Sequence, residues 1–201
     1  MQIIGLCGSS GAGKSSAARI FASLGIPIID ADAVYRDLLY PYSPLIADIT
    51  KEFGGSVIND DGTLNRRALA ALVFSPEGKR VHLPQLNAIT HGAVIAETEV
   101  RIGELAKNGQ SRVIFDAPLL FESGFDKKCD IIISVVADMD IRIGRLVERD
   151  GLTRDQAKDR ISSQLSDEYL ISRSDYCIVN NGTADELYSS VVDIVEKITE
   201  K

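Results

Sequence analysis

The stretch Ile3-Ile4-Gly5-Leu6-Cys7-Gly8-Ser9-Ser10-Gly11-Ala12-Gly13-Lys14-Ser15-Ser16 decides the fold. Ile3 to Cys7 is a continuous apolar run, and a helical pattern with Ala18, Phe21, Ala22 and Leu24 on one side starts at Ser15. Between strand and helix, Gly8 to Ser15 meets the phosphate-loop pattern G-x-x-x-x-G-K-[ST] at every fixed position. The glycines let the backbone curl so that successive N–H groups face phosphate oxygens, and the helix N-terminus adds a favourable dipole. Gly11, Ala12, Gly13, Lys14, Ser15 and Ser16 are therefore the candidate nucleotide contacts. In such a loop Lys14 reaches the β and γ phosphates and the Ser15 hydroxyl joins the Mg²⁺ shell.

Outward from this loop, four more short runs rich in Ile and Val recur: Ile26 to Ile29, Val113 to Phe115, Ile131 to Val136 and Tyr176 to Val179. They are continuous rather than alternating, as befits strands covered on both faces of a parallel sheet. Helical patterns alternate with them: Asp138 to Arg149 with Asp138 as the expected N-cap, Thr153 to Leu165, and Ala184 to Ile198. The alternation predicts an α/β, three-layer architecture, a five-stranded parallel sheet with helices on both faces. The stretch 33–110 breaks the rhythm. It carries almost no strand signal, and Pro41, Pro44, Gly54-Gly55, Gly62 and Pro76 divide several helical patterns. It is read as a helical insertion, with a long helix over Pro84 to Lys107 that is interrupted or bent near Gly92. The predicted organisation is a nucleotide-binding core (1–32, 111–137 and 166–201), a helical insertion (33–110) and a further helical segment (138–165).

Three further groups carry candidate chemistry. Asp116 ends the apolar run from Arg112, at the carboxyl edge of the sheet where ligands bind, and is the expected second metal-side carboxylate beside Ser15. Arg142, Arg145 and Arg149 are spaced 3 and 4 apart and share one helix face. That face fits either a clamp on transferring phosphoryl oxygens or a solvated face bridged by Asp138, Asp140, Glu148 and Asp150. Asp30-Ala31-Asp32 follows the second strand, with one acid available to cap the next helix and the other to face the phosphate site. The Asn-Lys-x-Asp signature of guanine recognition and the Leu-Ser-Gly-Gly-Gln of transport ATPases are both missing. Small-molecule kinases of nucleosides or other alcohols, and nucleotide switches, are the classes left by these residues.

The chain closely resembles the dephospho-coenzyme A kinase family. The resemblance rests on the phosphate loop running into Leu24-Gly25-Ile26-Pro27, on Asp30-Ala31-Asp32, on Phe53-Gly54, Asp61-Gly62-Thr63-Leu64-Asn65-Arg66 and Val73-Phe74. It continues through Pro118-Leu119-Leu120-Phe121-Glu122, Arg145 and Arg149 with Gln164 downstream, and Asp175 leading to Asn180-Asn181-Gly182. The resemblance implies ATP-dependent phosphorylation of the ribose 3′-hydroxyl of dephospho-CoA, with ATP and Mg²⁺ required. It makes Asp32, Lys14 and Arg145 the catalytic residues, with Asp32 receiving or orienting the hydroxyl. It adds Arg149 and Asn180 to the ATP contacts, assigns Ser15 and Asp116 to the metal, and gives substrate contacts to Asp32, Arg66, His91 and Leu119. It also implies that the helical insertion 33–110 binds substrate and that 138–165 is the lid. Three places depart from the family pattern. The loop has Ser9-Ser10 and Ala12 where the family usually has Gly-Ile and Ser, His91-Gly92 replaces His-Pro, and Ser174-Asp175 replaces Ala-Asp.

Composition bounds the rest. The chain has 201 residues, 45% hydrophobic and 25% charged, enough to bury a core without a disulfide or zinc staple. With 22 Lys and Arg against 29 Asp and Glu, the net charge of −7 argues against a nucleic-acid groove and is compatible with a local positive site for an anionic small molecule. Cys7, Cys129 and Cys177 include no Cys-x-x-Cys and read as buried thiols of a reducing compartment. The N-terminus has no basic region before its short apolar stretch, and no run reaches the roughly 18 apolar residues of a membrane span. A cytoplasmic protein with no membrane, nucleic-acid or obligate protein partner is expected.

Overall fold

A computed structural model of the chain describes residues 1–200. These divide into two compact units, Met1–Ile29 with the described residues from Leu105 onward, and Asp30–Glu104.

The first unit is built on a sheet in the order β2-β3-β1-β4-β5, with β1 (Gln2–Gly8), β2 (Ile28–Asp30), β3 (Arg112–Asp116), β4 (Ile131–Val136) and β5 (Tyr176–Val179). All the predicted strands are present. Register places Leu6 beside Asp116 and Ile133, and Ser134 beside Cys7 and Cys177. On one face, Ile4, Leu6, Ile114, Ile131, Ile133, Val135 and Ile178 meet α1 (Lys14–Ser23) through Ala17, Ala18 and Phe21. The same layer contains α9 (Ala184–Thr199), whose Leu187, Val191, Ile194 and Ile198 repeat at 3.6-residue spacing and are buried. Thr183 starts α9 with a reciprocal capping box to Glu186. On the other face Phe115 packs on Phe125 at 4.2 Å, and a side chain at Gly5 would collide with Leu120 and Cys129. Burial is therefore two-sided, which is why these strands read as unbroken apolar runs.

After β4 come α6 (Met139–Asp150), α7 (Arg154–Ser162) and α8 (Asp167–Ser172). Ile143 and Leu146 of α6 pack on Ala157 and Ile161 of α7 in a small core of their own. Thr153 caps α7 with a capping box to Gln156, and the helix stops at Ser162, short of the expected Leu165. Asp138 does occupy the N-cap position of α6, but its side chain makes no cap bond. Its backbone N–H instead donates to Asn181 Oδ1 at 2.8 Å, tying the start of α6 to the turn after β5.

The second unit holds α2 (Ala31–Asp37), α3 (Pro44–Phe53), α4 (Arg66–Val73) and α5 (Gly78–Lys107) as far as Glu104. Leu45, Ile46, Ile49, Val57, Leu64, Leu69 and Val73 form its centre, with Leu83, Leu86 and Ile89 of α5 packed against them. Two expectations are corrected here. The long helix starts at Gly78, not Pro84, because the Ser75 hydroxyl accepts the Gly78 N–H at 2.9 Å and serves the open end. Pro84 sits on its exposed side, where the lost backbone donor is tolerated. The helix also runs through Gly92 without interruption.

Candidate active site

The phosphate loop leaves β1 at Gly8 and enters α1 at Lys14, with Gly11 at φ 80° and Gly13 at φ 97°. Both glycines are required twice over. Their φ values lie in the left-handed region, and their surroundings have no room for a side chain. A Cβ on Gly11 would stand 2.8 Å from the Arg142 carbonyl oxygen, and one on Gly13 would land on Asn180 Nδ2.

Each residue from Ser9 to Ala12 is held by a side chain from elsewhere in this unit. The Ser9 hydroxyl donates to Asp167 Oδ1 at 3.1 Å, and the Ser10 N–H donates to Gln164 Oε1 at 2.8 Å. Arg142 Nε donates to the Ser10 carbonyl at 3.0 Å. Arg145 Nη1 donates to the Gly11 carbonyl at 3.2 Å, and its Nη2 reaches the Asn180 carbonyl at 3.0 Å. Asn180, itself buried, donates from Nδ2 to the Ala12 carbonyl at 2.8 Å. Lys14 Nζ forms an ion pair with Asp116, with side-chain exposures of 15% and 8%. The expected cation of the loop and the expected metal-side carboxylate are thus neighbours.

Beside the loop lies a cavity of about 560 Å³ lined by Gly11, Gly13, Ser16, Arg145, Arg149 and Asn180, among others. A volume of that order accommodates a small organic ligand. Its walls combine the loop, the basic face of α6 and the turn after β5. Ser15, also in the first turn of α1, is exposed.

The three arginines of α6 share a face but do different things. Arg142 is buried and Arg145 half-buried, both turned onto the phosphate loop. Arg149 is 61% exposed at its side chain and bonds Asp150 at 2.7 Å. Asp150 also takes Arg160 at 2.9 Å, and the Arg149 bond holds its carboxyl below the ordinary range. The solvated, salt-bridged alternative therefore describes Arg149, while the loop-facing one describes Arg142 and Arg145. Arg142 and Asp167 are loop-holding residues that sequence reasoning did not assign to the site. Arg142 was visible as part of the basic face, but nothing local marks Asp167, which meets it from 25 residues away.

Leu119 is exposed in the turn after β3 and borders a small cavity with Gly8, Ser9 and Gln164. The remaining predicted substrate residues belong to the second unit. There Asp30, not Asp32, caps α2, accepting the N–H groups of Asp32 and Ala33 at 2.8 and 3.1 Å. The Asp32 carboxylate is exposed in the first turn of that helix. Arg66 is the exposed first residue of α4, and His91 lies half-buried in α5. Burial pushes the Tyr35 hydroxyl up, with the Arg66 charge opposing it.

A parallel five-stranded sheet whose central strand runs into a phosphate loop, with a lysine–aspartate pair at the carboxyl edge, defines a phosphate-loop small-molecule kinase fold. The family model described as CoaE, dephospho-CoA kinase, matches residues 2–186. A dephospho-CoA kinase of Corynebacterium glutamicum is 38% identical over 198 residues, covering 98% of each chain. The crystal structure of TT1252 from Thermus thermophilus superposes with a TM-score of 0.80 at 30% identity, over 98% of this chain and 96% of that one. The dephospho-CoA kinase from Campylobacter jejuni, 24% identical, shares the fold with a TM-score of 0.70 over 100% of this chain and 98% of its own. The chain belongs to the dephospho-CoA kinase family.

Proposed function

We infer that the chain transfers the γ-phosphoryl group of ATP to the ribose 3′-hydroxyl of dephospho-CoA, giving coenzyme A and ADP. The observation that carries this reading is the assembled phosphate loop with Lys14 against Asp116, beside a cavity of about 560 Å³, in a chain of the dephospho-CoA kinase family. Phosphoryl transfer asks little covalent chemistry of the protein, so positioning and charge do most of the catalysis. The N–H groups of residues 11–16 hold the phosphates, and Arg149 and Asn180 flank the nucleotide. Lys14 exchanges Asp116 for phosphate oxygens when ATP arrives. Arg145 offers its remaining guanidinium hydrogens to the transferring group. Asp32 orients the acceptor hydroxyl and takes its proton, and Arg66, His91 and Leu119 contact dephospho-CoA.

Ser15 and Asp116 fit Mg²⁺, because a hydroxyl and one carboxylate are the hard oxygen donors that this ion takes together with substrate phosphates and water. When bound, the ion neutralises charge on the β and γ phosphates. Among the described residues no helix is long and apolar enough to cross a membrane. The three unpaired cysteines support a reducing, cytoplasmic setting, and the net charge of −7 argues against a nucleic-acid groove while remaining compatible with a local basic site for a small anion.

A coupled ADP-release assay with dephospho-CoA, a panel of nucleosides and shikimate tests the reading. Turnover confined to dephospho-CoA is expected, whereas turnover on a nucleoside, or slow hydrolysis indifferent to every acceptor, would overturn it. In the same assay Asp32→Asn keeps ATP binding and lowers kcat by about 10²–10⁴-fold, the usual worth of a positioned base. Wild-type turnover by that variant would remove Asp32 from its role.

A further inference from the structure

Behind the phosphate loop, on the side of α6 and α8, lies a polar network that the chemistry above does not use. Arg142 is 3% exposed, and a guanidinium that deep is costly unless it is paired. Its Nη1 donates to both Asp167 oxygens, at 3.0 and 2.8 Å, and its Nε to the Ser10 carbonyl at 3.0 Å. Asp167 Oδ1 in turn accepts the Ser9 hydroxyl. Arg142 Nη2 is buried with no hydrogen-bond partner among the described residues. An apolar side chain of similar length would avoid that penalty, so packing alone does not account for an arginine here.

The bonds have a direct effect on the loop. A peptide unit is planar and trans, so a carbonyl drawn in one direction turns the next residue's N–H the opposite way. The Ser10 carbonyl is drawn to Arg142, which fixes the direction of the Gly11 N–H. Gly11 itself, at φ 80°, has the broadest conformational freedom of any residue and would not hold that direction unaided. Arg142 in turn is oriented by Asp167, and Asp167 separately anchors Ser9.

We propose that Arg142 and Asp167 are a positioning pair for the phosphate donor: they preset the Ser9–Gly11 backbone of the phosphate loop for nucleotide phosphates without touching the substrate themselves. The pair deepens the kinase reading and rests on it. Because it acts on the loop alone, it changes the affinity for ATP and leaves the acceptor side unchanged. Preorganisation lost in the free protein appears as weaker binding of the ligand that must restore it.

The experiment uses the full chain and its variants Asp167→Asn, Arg142→Met and the double variant. MgATP affinity is measured by calorimetry, and KM for ATP and for dephospho-CoA by the coupled assay. Loss of one charged hydrogen-bonded contact corresponds to about a tenfold to hundredfold rise in Kd and KM for ATP. KM for dephospho-CoA is expected to stay unchanged, and the double variant to be no worse than Arg142→Met, since Asp167→Asn keeps an oxygen for the Ser9 hydroxyl and the remaining loss is the Arg142 linkage that either change breaks. Equal losses for both substrates, additive losses in the double variant, or an unchanged ATP affinity in Asp167→Asn would each overturn the pair. Asp167→Asn preserves side-chain volume at a partly exposed position and decides the matter alone if Arg142→Met does not fold. A wild-type chain that binds ATP but does not phosphorylate dephospho-CoA would instead remove the kinase reading, and the ATP dissociation constants would still judge the pair.

Discussion

Gly13→Ala tests the assembly of the nucleotide site most directly. The added methyl meets two penalties that can be separated. Gly13 has φ 97°, a conformation that costs an L-residue about 1–2 kcal/mol. The methyl would also land on Asn180 Nδ2, with Asn180 Cγ at 3.3 Å. Asn180 must then withdraw its bond from the Ala12 carbonyl, and a buried polar group left unsatisfied costs about 1–3 kcal/mol. Together these make roughly 2–5 kcal/mol, or a fall in Tm of about 4–20 °C for a chain of this size. Gly25→Ala supplies the control, because Gly25 has φ 84° but nothing within 4 Å of its would-be Cβ. It carries only the strain, partly offset by a stiffer unfolded chain, and should cost about 1 kcal/mol. Thermal and urea unfolding of both variants give the difference, and ATP titration follows it at the site. Asn180→Ala closes the cycle: in the Gly13→Ala background, where the Asn180 bond is already broken, it should add little. If Gly13→Ala proves no worse than Gly25→Ala, or if the Gly13 and Asn180 changes add independently, the proposed interlock between the loop and the turn after β5 is wrong.

Three other outcomes are expected. Lys14→Ala removes the loop cation that would meet the β and γ phosphates, so kcat should fall; a variant with wild-type kcat would sink the loop assignment. Burial pushes the Cys7 and Cys129 thiols up to about 12 each, so their reactive thiolate forms only far above neutral pH. Iodoacetamide at pH 8 should spare both cysteines in the folded chain and modify them in urea, and rapid labelling of the native protein at either one would contradict this. Leu146 is fully buried between α6 and α7, so Leu146→Ala should cost about 2–5 kcal/mol by chemical denaturation, and a loss under about 1 kcal/mol would mean that these helices are not packed as described.

What was legible in the sequence follows from how local each constraint is. Gly11, Gly13 and Lys14 could be read because a phosphate loop is a backbone conformation, and conformation leaves its mark in adjacent residues. The strands could be read because burial on two faces forbids polar alternation. The position of Asp116 beside Lys14 was legible because the carboxyl end of a parallel strand has a fixed place in the fold. The partition of the α6 arginines was not legible. Spacing places Arg142, Arg145 and Arg149 on one face, but which is buried depends on Asp167 and on the loop carbonyls, all remote in sequence. The start of α5 was missed for a different reason. Proline is favoured in a first helical turn and costly inside, so Pro84 looked like the beginning, whereas the Ser75 hydroxyl had already served the open end at Gly78. At Asp138 the position was right and the chemistry was not, because Asn181 supplies a contact that no local pattern contains.

The order of the strands also bears on how the chain comes together as it is made. Gln2 pairs with Arg112, 110 residues later, and Ile4 with Ile131. Closing a loop of that length costs about 2 kcal/mol more than closing one of ten residues, before any pairing compensates. The helical unit from Asp30 to Glu104 has its centre within one continuous segment and can condense early. Strand β1 and its phosphate loop, although made before the strands they pair with, must wait for β3 and β4, and Asn180 reaches the loop only after β5. On a ribosome emitting about 5–20 residues per second, the nucleotide site therefore forms only after β5 and Asn180 have emerged, and ATP can stabilise only chains that already include them.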